Sequence, residues 1–576
     1  MISKILSFLS KQTFSLLIIA VLMQTYVVHI SSRMGSDDMF QIASTKNFIN
    51  GHGFTIPRVN TDNCKVEYNR LEDWPLGYSL TIAPLLYITN NNFELSELII
   101  HFLALFLLFF ATLKILLLII PPEKKWSISL LFIFFTFAYV PFRHTNNADL
   151  LCLGIYLSII YFIIKFYQNS HNLFKEFLFI FGISLLSASL SFIRYAFYPH
   201  TLSIFCFFIL AAFCFHKKLN IKLLAYSFFI LLFSALFIYI QIRSQTYTAS
   251  LATNYLSGSE SFSNSGIKIF YAPFFNAFFP DNIFYSIYFQ ISGNNTIPIV
   301  LFGIISFVSF ILLFFLLKII LPSFSPIFSF YFTKNRNTIV SSSQAKLHFL
   351  YLTALFTILC NIFFLFIIYK GSVLSWAELL GKNSLYTYYA VISRYISITY
   401  FFTILTFFIY IVLHKNNFLK KTLFILFFCS FIFQFSHWLY LRSKFSLTDR
   451  QKNMSEMNLP YGSYNDFILL HKKISTEKER IIYIVTEDEK TNYYRQLRSE
   501  FFVSANGGIT MEPQNFIHFK CDDLINDYKI LVAKHKIYDN IYINQILSNN
   551  KHIHYICLKN SNIDIYQIIP ENSAPK

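Results

Sequence analysis

Residues 96–120 read SELIIHFLALFLLFFATLKILLLII. Apart from Ser96, Glu97, His101, Thr112 and Lys114, every side chain in the run is apolar. About 20 such residues cross the hydrocarbon core of a bilayer as a helix, so the run reads as a membrane span. The pattern recurs on both sides. Apolar stretches near 12–30, 127–142, 149–166, 176–193, 200–215, 221–241, 297–319, 347–369, 386–413 and 421–440 bring the expected number of spans to roughly eleven. The expected fold class is a polytopic α-helical membrane protein.

Composition points the same way. Charged residues make up 13% of the chain and hydrophobic residues 55%, with mean hydropathy +0.49. A soluble domain carries about twice that charged share, and a chain this apolar would expose far too much greasy surface in water. The formal net charge is +17. The basic residues lie mostly between apolar segments, where the positive-inside bias and anionic lipids account for them, so no nucleic-acid partner is indicated. With the N-terminus cytoplasmic, every inner loop is basic: Lys124 and Lys125, Lys165 and Lys175, Lys217, Lys218 and Lys222, Lys334, Arg336 and Lys346, then Lys415, Lys420 and Lys421. The first outer loop instead holds Asp37, Asp38, Asp62, Glu67, Glu72 and Asp73. The opening stretch, MISKILSFLSKQTFSLLIIAVLMQ, has no small-residue cleavage site and is expected to stay as an uncleaved first helix.

The domain reading follows. Residues 1–440 form the transmembrane part, with large outer loops at 31–95 and 243–296. The polar tail, 441–576, is expected to be a small extracytoplasmic α/β domain. Its strands are IIYIVT (481–486), KILVAK (529–534) and IHYICLK (553–559), and its helices 463–474 and 491–500. The tail has no Gly-rich phosphate loop, no His-Glu-x-x-His pair and no Cys-x-x-Cys pair. Spacing leaves a Cys521–Cys557 disulfide open. The other cysteines form no metal pattern, and most sit in apolar runs.

The first outer loop carries the chemistry. Residues 35–57 read GSDDMFQIASTKNFINGHGFTIP. Met39, Ile42, Ala43 and Ile49 recur at helical spacing with Lys46 on their stripe, which predicts a short amphipathic helix lying flat at the membrane surface and stopping at Gly51. Ser36, Asp37 and Asp38 stand at its start, where oxygens meet free backbone N–H groups and the helix dipole favours negative charge. One carboxylate there is explained by capping. A second beside it repels the first, and such a pair is retained more readily as a general base or cation ligand. The loop closes with EDWPLGYSLTIAPLL (72–86), in which Trp74 and Tyr78 suit the headgroup layer.

The string SDDMFQIASTKNFINGHGFT, followed by DWPLGYSLTIAPLL, resembles membrane glycosyltransferases of the C-type fold. That group includes bacterial polyprenyl-phosphate-sugar transferases for lipid A and the cell envelope, and relatives of the protein mannosyltransferases. Its members carry an acidic pair after the first helix, a short helix ending in G-x-G, and a W-P-P-G-Y-P-like entry into the next helix. This chain departs from the pattern with Leu76 and Ser79 at two of the proline positions. The match covers about the first 120 residues. Further on, RHTNNADLL (143–151), SFIRYAFYP (191–199) and SRYIS (393–397) place Arg143, His144, Asp149, Arg194 and Arg394 on the same expected face as Asp37.

The resemblance implies an integral-membrane enzyme, in a bacterial inner or plasma membrane. It would move a sugar from a polyprenyl-phosphate-sugar donor to an extracytoplasmic glycan, lipid or protein acceptor, with inversion. Asp37, with Asp38, is then the base, and Arg194 and Arg394 face the lipid phosphate. Lys46, His52, Trp74, Tyr78, His144 and Asp149 are candidate donor or acceptor contacts. The resemblance leaves room for a divalent cation, Mg or Mn, on Asp37 or Asp38, and nothing in the sequence requires one. Blander roles compete: Arg194 and Arg394 as snorkelling helix-end anchors, Asp149 as a helix cap, His52 and His144 as loop residues. The rival functions are a transporter or flippase of lipid-linked sugars and a non-catalytic membrane scaffold.

Overall fold

The computed structural model describes residues 2–31, 36–60, 65–70, 75–90, 92–138, 147–168, 173–194, 197–211, 273–279, 299–324, 342–371, 397–415 and 417–444, with isolated residues between 214 and 239. In the tail it describes five strands, one helix and a few adjoining residues between 481 and 568. The helices are α1 (Ile2–Lys11), α2 (Thr13–Ser31), α3 (Ser36–Ile49), α4 (Leu76–Ile88), α5 (Phe93–Ile119), α6 (Trp126–Phe137), α7 (Asn147–Gln168) and α8 (Leu173–Ile193). They continue with α9 (Tyr198–Ala211), α10 (Ile299–Ile320), α11 (Ser342–Gly371), α12 (Ser397–Leu413), α13 (Phe418–Lys444) and α14 (Ile541–Asn549).

The chain is helical and membrane-embedded. Six helices among the described residues are long and apolar enough to cross a bilayer, over Leu95–Ile119, Asn147–Tyr167, Phe174–Ile193, Gly303–Phe324, Gln344–Phe363 and Phe418–Leu439. Thr13–Tyr26, Leu76–Ile88, Pro199–Ala211 and Ser397–Leu413 are apolar but shorter. Within the expected span at 127–142, α6 runs to Phe137 with Ala138 as its cap, and residues 139–142 lie outside the described residues. There the Gln24 side-chain amide of α2 reaches the carbonyls of Phe135 and Ala138, at 2.6 and 2.8 Å. An amide in that position satisfies carbonyls that a helix end leaves without partners.

Two compact units divide the chain: Met1–Val27 with Ile100–Leu439, and Val28–Ile99 with Tyr440–Lys576. In the first unit α7, α8, α9, α11 and α12 pack around apolar side chains such as Phe132, Phe135, Phe207, Phe401 and Phe402, all buried. Gly154 of α7 lies where a Cβ would meet the Leu108 backbone nitrogen at 3.1 Å and the Ala104 carbonyl at 3.3 Å, so α5 and α7 cross at close range.

The second unit holds α3, α4 and a hairpin of β1 (Thr55–Asn60) and β2 (Lys65–Arg70), paired antiparallel from Thr55↔Arg70 to Asn60↔Lys65. It also holds a five-stranded mixed sheet: β3 (Ile481–Ile484), β4 (Ile509–Met511), β5 (Lys529–His535), β6 (Ile553–Ile556) and β7 (Ile563–Ile568), in the order β4-β3-β5-β7-β6. Strand β3 runs parallel to β4 and β5, and β7 antiparallel to β5 and β6. Each of the three expected tail strands overlaps an observed one, with β3 and β6 inside their runs and β5 extending one residue past its run to His535. The expected helices 463–474 and 491–500, and Cys521 and Cys557, lie outside the described residues.

Candidate functional site

Helix α3 starts at Ser36, so Asp37 and Asp38 occupy its first turn, directly after α2. The backbone there is described, and the side chains of residues 27–40 are not. Position 38 falls on the helix face of Gln41, Ile42 and Thr45, and position 37 on that of Ser44. The helix departs from the expected surface-lying pattern. Residues 41–45 are buried on every side, polar Gln41, Ser44 and Thr45 included. The cause is α4, which packs against it. Thr45 Oγ1 donates to the Gln41 carbonyl at 2.7 Å, and Ser79 Oγ of α4 donates to the same carbonyl at 3.2 Å.

The stop at Gly51 is as expected and has a clear geometry. Gly51 sits at φ +86°, where a side chain would strain the backbone. Its N–H donates to the Phe48 carbonyl and that of His52 to the Asn47 carbonyl, closing the helix in a Schellman motif. His52 is exposed and stacks on Tyr68 of β2, with ring centroids 4.1 Å apart. Asn47 Nδ2 donates to the Thr55 carbonyl at 2.8 Å, tying the end of α3 to β1.

Lys46 is half-buried, and loss of water around its ammonium pulls its pKa from 10.5 down to about 8. Tyr78 is placed differently from the expected headgroup belt. It is fully buried, and its hydroxyl donates to Glu97 Oε1 of α5 at 2.8 Å. A buried phenol needs such a partner, and an interfacial ring would have used water instead.

In the first unit the structure joins two residues that the sequence had only placed on one face. Arg194, just past α8, donates from Nε to Asp149 Oδ1 in the first turn of α7, at 2.9 Å. Asp149 is 4% exposed and Arg194 5%, so Asp149 is more than a cap and Arg194 is no snorkelling anchor. Removing either partner of such a pair strands a buried charge, at a cost of about 3–5 kcal/mol.

The same turn of α7 makes a second polar contact that sequence reasoning missed. Asn147 Oδ1 lies 2.6 Å from Nδ1 of His101, a buried imidazole about a third of the way along α5. The available signal was the histidine itself, inside a long apolar run. Deeper in the unit, the Tyr156 hydroxyl meets Ser203 Oγ of α9 and Thr357 Oγ1 of α11, at 2.5 and 2.7 Å. Tyr156, Ser203 and Thr357 had also gone unnoticed, since hydroxyls in apolar runs carry no periodic mark.

Trp74, His144 and Arg394 lie outside the described residues, as do Glu72, Asp73 and Arg143. Among the described residues no group of three His, Cys, Asp or Glu side chains is placed to hold a metal ion. No protein-family model matches the chain, and no curated protein matches it.

Proposed function

We propose that the chain is an integral-membrane glycosyltransferase that uses a polyprenyl-phosphate-sugar donor and an extracytoplasmic glycan, lipid or protein acceptor. The observation that carries this reading is the acidic pair in the first turn of α3. That turn follows α2 closely in sequence, and its helix is buried over residues 41–45 and closed by the Gly51 motif. A carboxylate there stands on a packed helix that follows an apolar helix in the sequence, as a base acting on a lipid-borne substrate requires.

In the proposed reaction the acceptor hydroxyl oxygen attacks the anomeric carbon from the face opposite the phosphate. The bond from that carbon to the phosphate oxygen breaks, and the lipid phosphate leaves with the electron pair. The hydroxyl proton passes to Asp37 or Asp38, a transfer that contributes on the order of a hundred- to ten-thousand-fold. Charge developing on the phosphate calls for a cation, for which Arg194 and Arg394 are the candidates. The topology that goes with this reading has eleven crossings in a bacterial inner membrane, with the N-terminus cytoplasmic. The acidic loop and the tail then share the outer side, in keeping with their membership of one compact unit.

Transport of a lipid-linked sugar is the second reading. The buried Asp149–Arg194 pair and the Tyr156 hydroxyl cluster favour it, because polar groups inside a bundle often line a substrate path. One experiment separates the two. Wild type, Asp37→Asn and Asp38→Asn are expressed at matched levels in cells lacking the gene, and lipid-linked sugars and surface glycans are compared by mass spectrometry. Asn retains the cap and removes the base. The transferase reading expects one substitution to abolish a glycan product while the polyprenyl-phosphate-sugar accumulates. Wild-type profiles from both variants would reduce the pair to a helix cap and leave transport standing.

A further inference from the structure

Helix α12 ends at Leu413 and α13 begins at Phe418, and two lysines from separate parts of the chain converge on the turn between them. Lys124, in the short turn Pro122–Lys124 between α5 and α6, donates from Nζ to the Val412 carbonyl at 2.8 Å. Lys420, in the first turn of α13, donates from Nζ to the His414 carbonyl at 3.0 Å. Both lysines are half-buried. The half-buried His414 ring stacks on Tyr410, with ring centroids 4.1 Å apart. Burial lowers the His414 pKa, and the charges of Lys420 and Lys124 lower it further, so both ammonium groups act on one imidazole.

Capping alone falls short of explaining this arrangement. The last carbonyls of a helix attract cations, and one lysine suffices as the cap. A helix end offers about half a negative charge, and the start of α13 beside it offers about half a positive one. The two ammonium groups are therefore almost uncompensated. Neither makes an ion pair among the described residues, and Glu123, the carboxylate beside Lys124 in sequence, is exposed and makes none. Each ammonium has three donors and gives one to the protein, so each retains two. The surroundings are those of a membrane boundary. The span of α5 stops at Ile119 and that of α13 starts at Phe418. Phe418 is 81% exposed, and Phe424 and Ile425 further along α13 are exposed too. An anion carrying its own apolar chains matches both features, and a free anion would match only the charge.

We propose that Lys124 and Lys420 clamp the phosphate of an anionic glycerophospholipid, whose acyl chains lie along α13 beside Phe418, Phe424 and Ile425. Each ammonium donates to a phosphate oxygen while keeping its carbonyl on α12. The bound lipid thereby ties the α5–α6 turn to the α12–α13 turn and neutralises the charge that the protein leaves unmet. The site is separate from the acidic pair and does not depend on the transferase reading.

The test uses the full chain in nanodiscs of phosphatidylcholine, with and without phosphatidylglycerol. Phosphatidylcholine carries its own cation beside the phosphate and serves as the neutral reference. Lysines are acetylated in a short pulse and read by peptide mass spectrometry. Phosphatidylglycerol should slow acetylation of Lys124 and Lys420 about fivefold, and that of exposed Lys415 and Lys421 much less. Inorganic phosphate added to the phosphatidylcholine discs should protect neither clamp lysine. In native mass spectrometry, Lys124→Gln with Lys420→Gln should weaken retention of phosphatidylglycerol about tenfold. Lys415→Gln with Lys421→Gln removes the same charge from exposed positions and should weaken it far less. Equal protection of all four lysines, or equal loss in the two double variants, would reduce the clamp to the diffuse attraction of a basic surface and overturn the proposal. Protection by inorganic phosphate as strong as by the lipid overturns it in favour of a free-phosphate site. Should the variants fail to fold, the wild-type acetylation pattern decides alone.

Discussion

Lys46 shows what burial does to one charge at the edge of the candidate site. Its folded pKa is about 8 against 10.5 in water. Between those values the unfolded chain holds a proton that the folded unit has released. Stability therefore rises with pH from about 8 to 10.5 and gains nothing from this group below 8. Denaturant unfolding of the purified protein in detergent, from pH 7 to 11, should show a smaller rise in Lys46→Met than in wild type. A rise of equal size in the variant would assign the effect to another group. At neutral pH the ammonium is still charged. The sequence put Lys46 on the right helix, but the shift comes from burial in the folded unit, which no local pattern announces.

Among the described glycines, Gly154 at the crossing of α5 and α7 meets its neighbours at the closest range. A methyl at residue 154 would press on the Leu108 nitrogen and the Ala104 carbonyl, both backbone atoms that cannot turn aside. Gly154→Ala should destabilise the folded protein by about 1–3 kcal/mol, and Gly154→Val by more, measured as loss of monodisperse protein on heating in detergent. Gly182 of α8, which has open space around its Cβ position, should accept alanine without loss. The contrast also shows what the sequence could and could not convey about the elements. Six of the expected span positions were legible because an uninterrupted apolar run of 20 residues has few other uses. The hairpin β1–β2 was not, because TIPRVN and KVEYNR are short, polar and interrupted by Pro57. In the site, the Gly51 stop was legible from one residue. The Asp149–Arg194 and His101–Asn147 pairs join residues about 45 apart and had to be seen.

At the scale of the molecule, hydrogen bonds within the first unit orient its helices without reference to charge rules. His101 near the start of α5 meets Asn147 at the start of α7, so both helices enter from one end, which may be named A. Asp149 at the start of α7 meets Arg194 at the end of α8, so α8 returns to A and α9 leaves it again. Helix α9 therefore ends at the opposite end, B. There Lys346, at the start of α11, donates to the Leu118 carbonyl near the end of α5, and Lys124 donates to the Val412 carbonyl near the end of α12. The link 325–341 carries Lys334 and Arg336 and is too polar to cross, so α10 also ends at B and begins at A. The chain thus passes from B after Ala211 to A before Ile299, which requires an odd number of crossings between them. In that interval the sequence offers one apolar run of spanning length, 221–241. Reporter fusions after Lys218 and after Ser257 should therefore fall on opposite sides of the membrane: a fluorescent protein should glow only at the first, and alkaline phosphatase should be active only at the second. Reporters on the same side would remove the crossing at 221–241 and reverse every helix after it relative to α5. That outcome would contradict the lysine contacts that bring α11 and α12 to the end of α5.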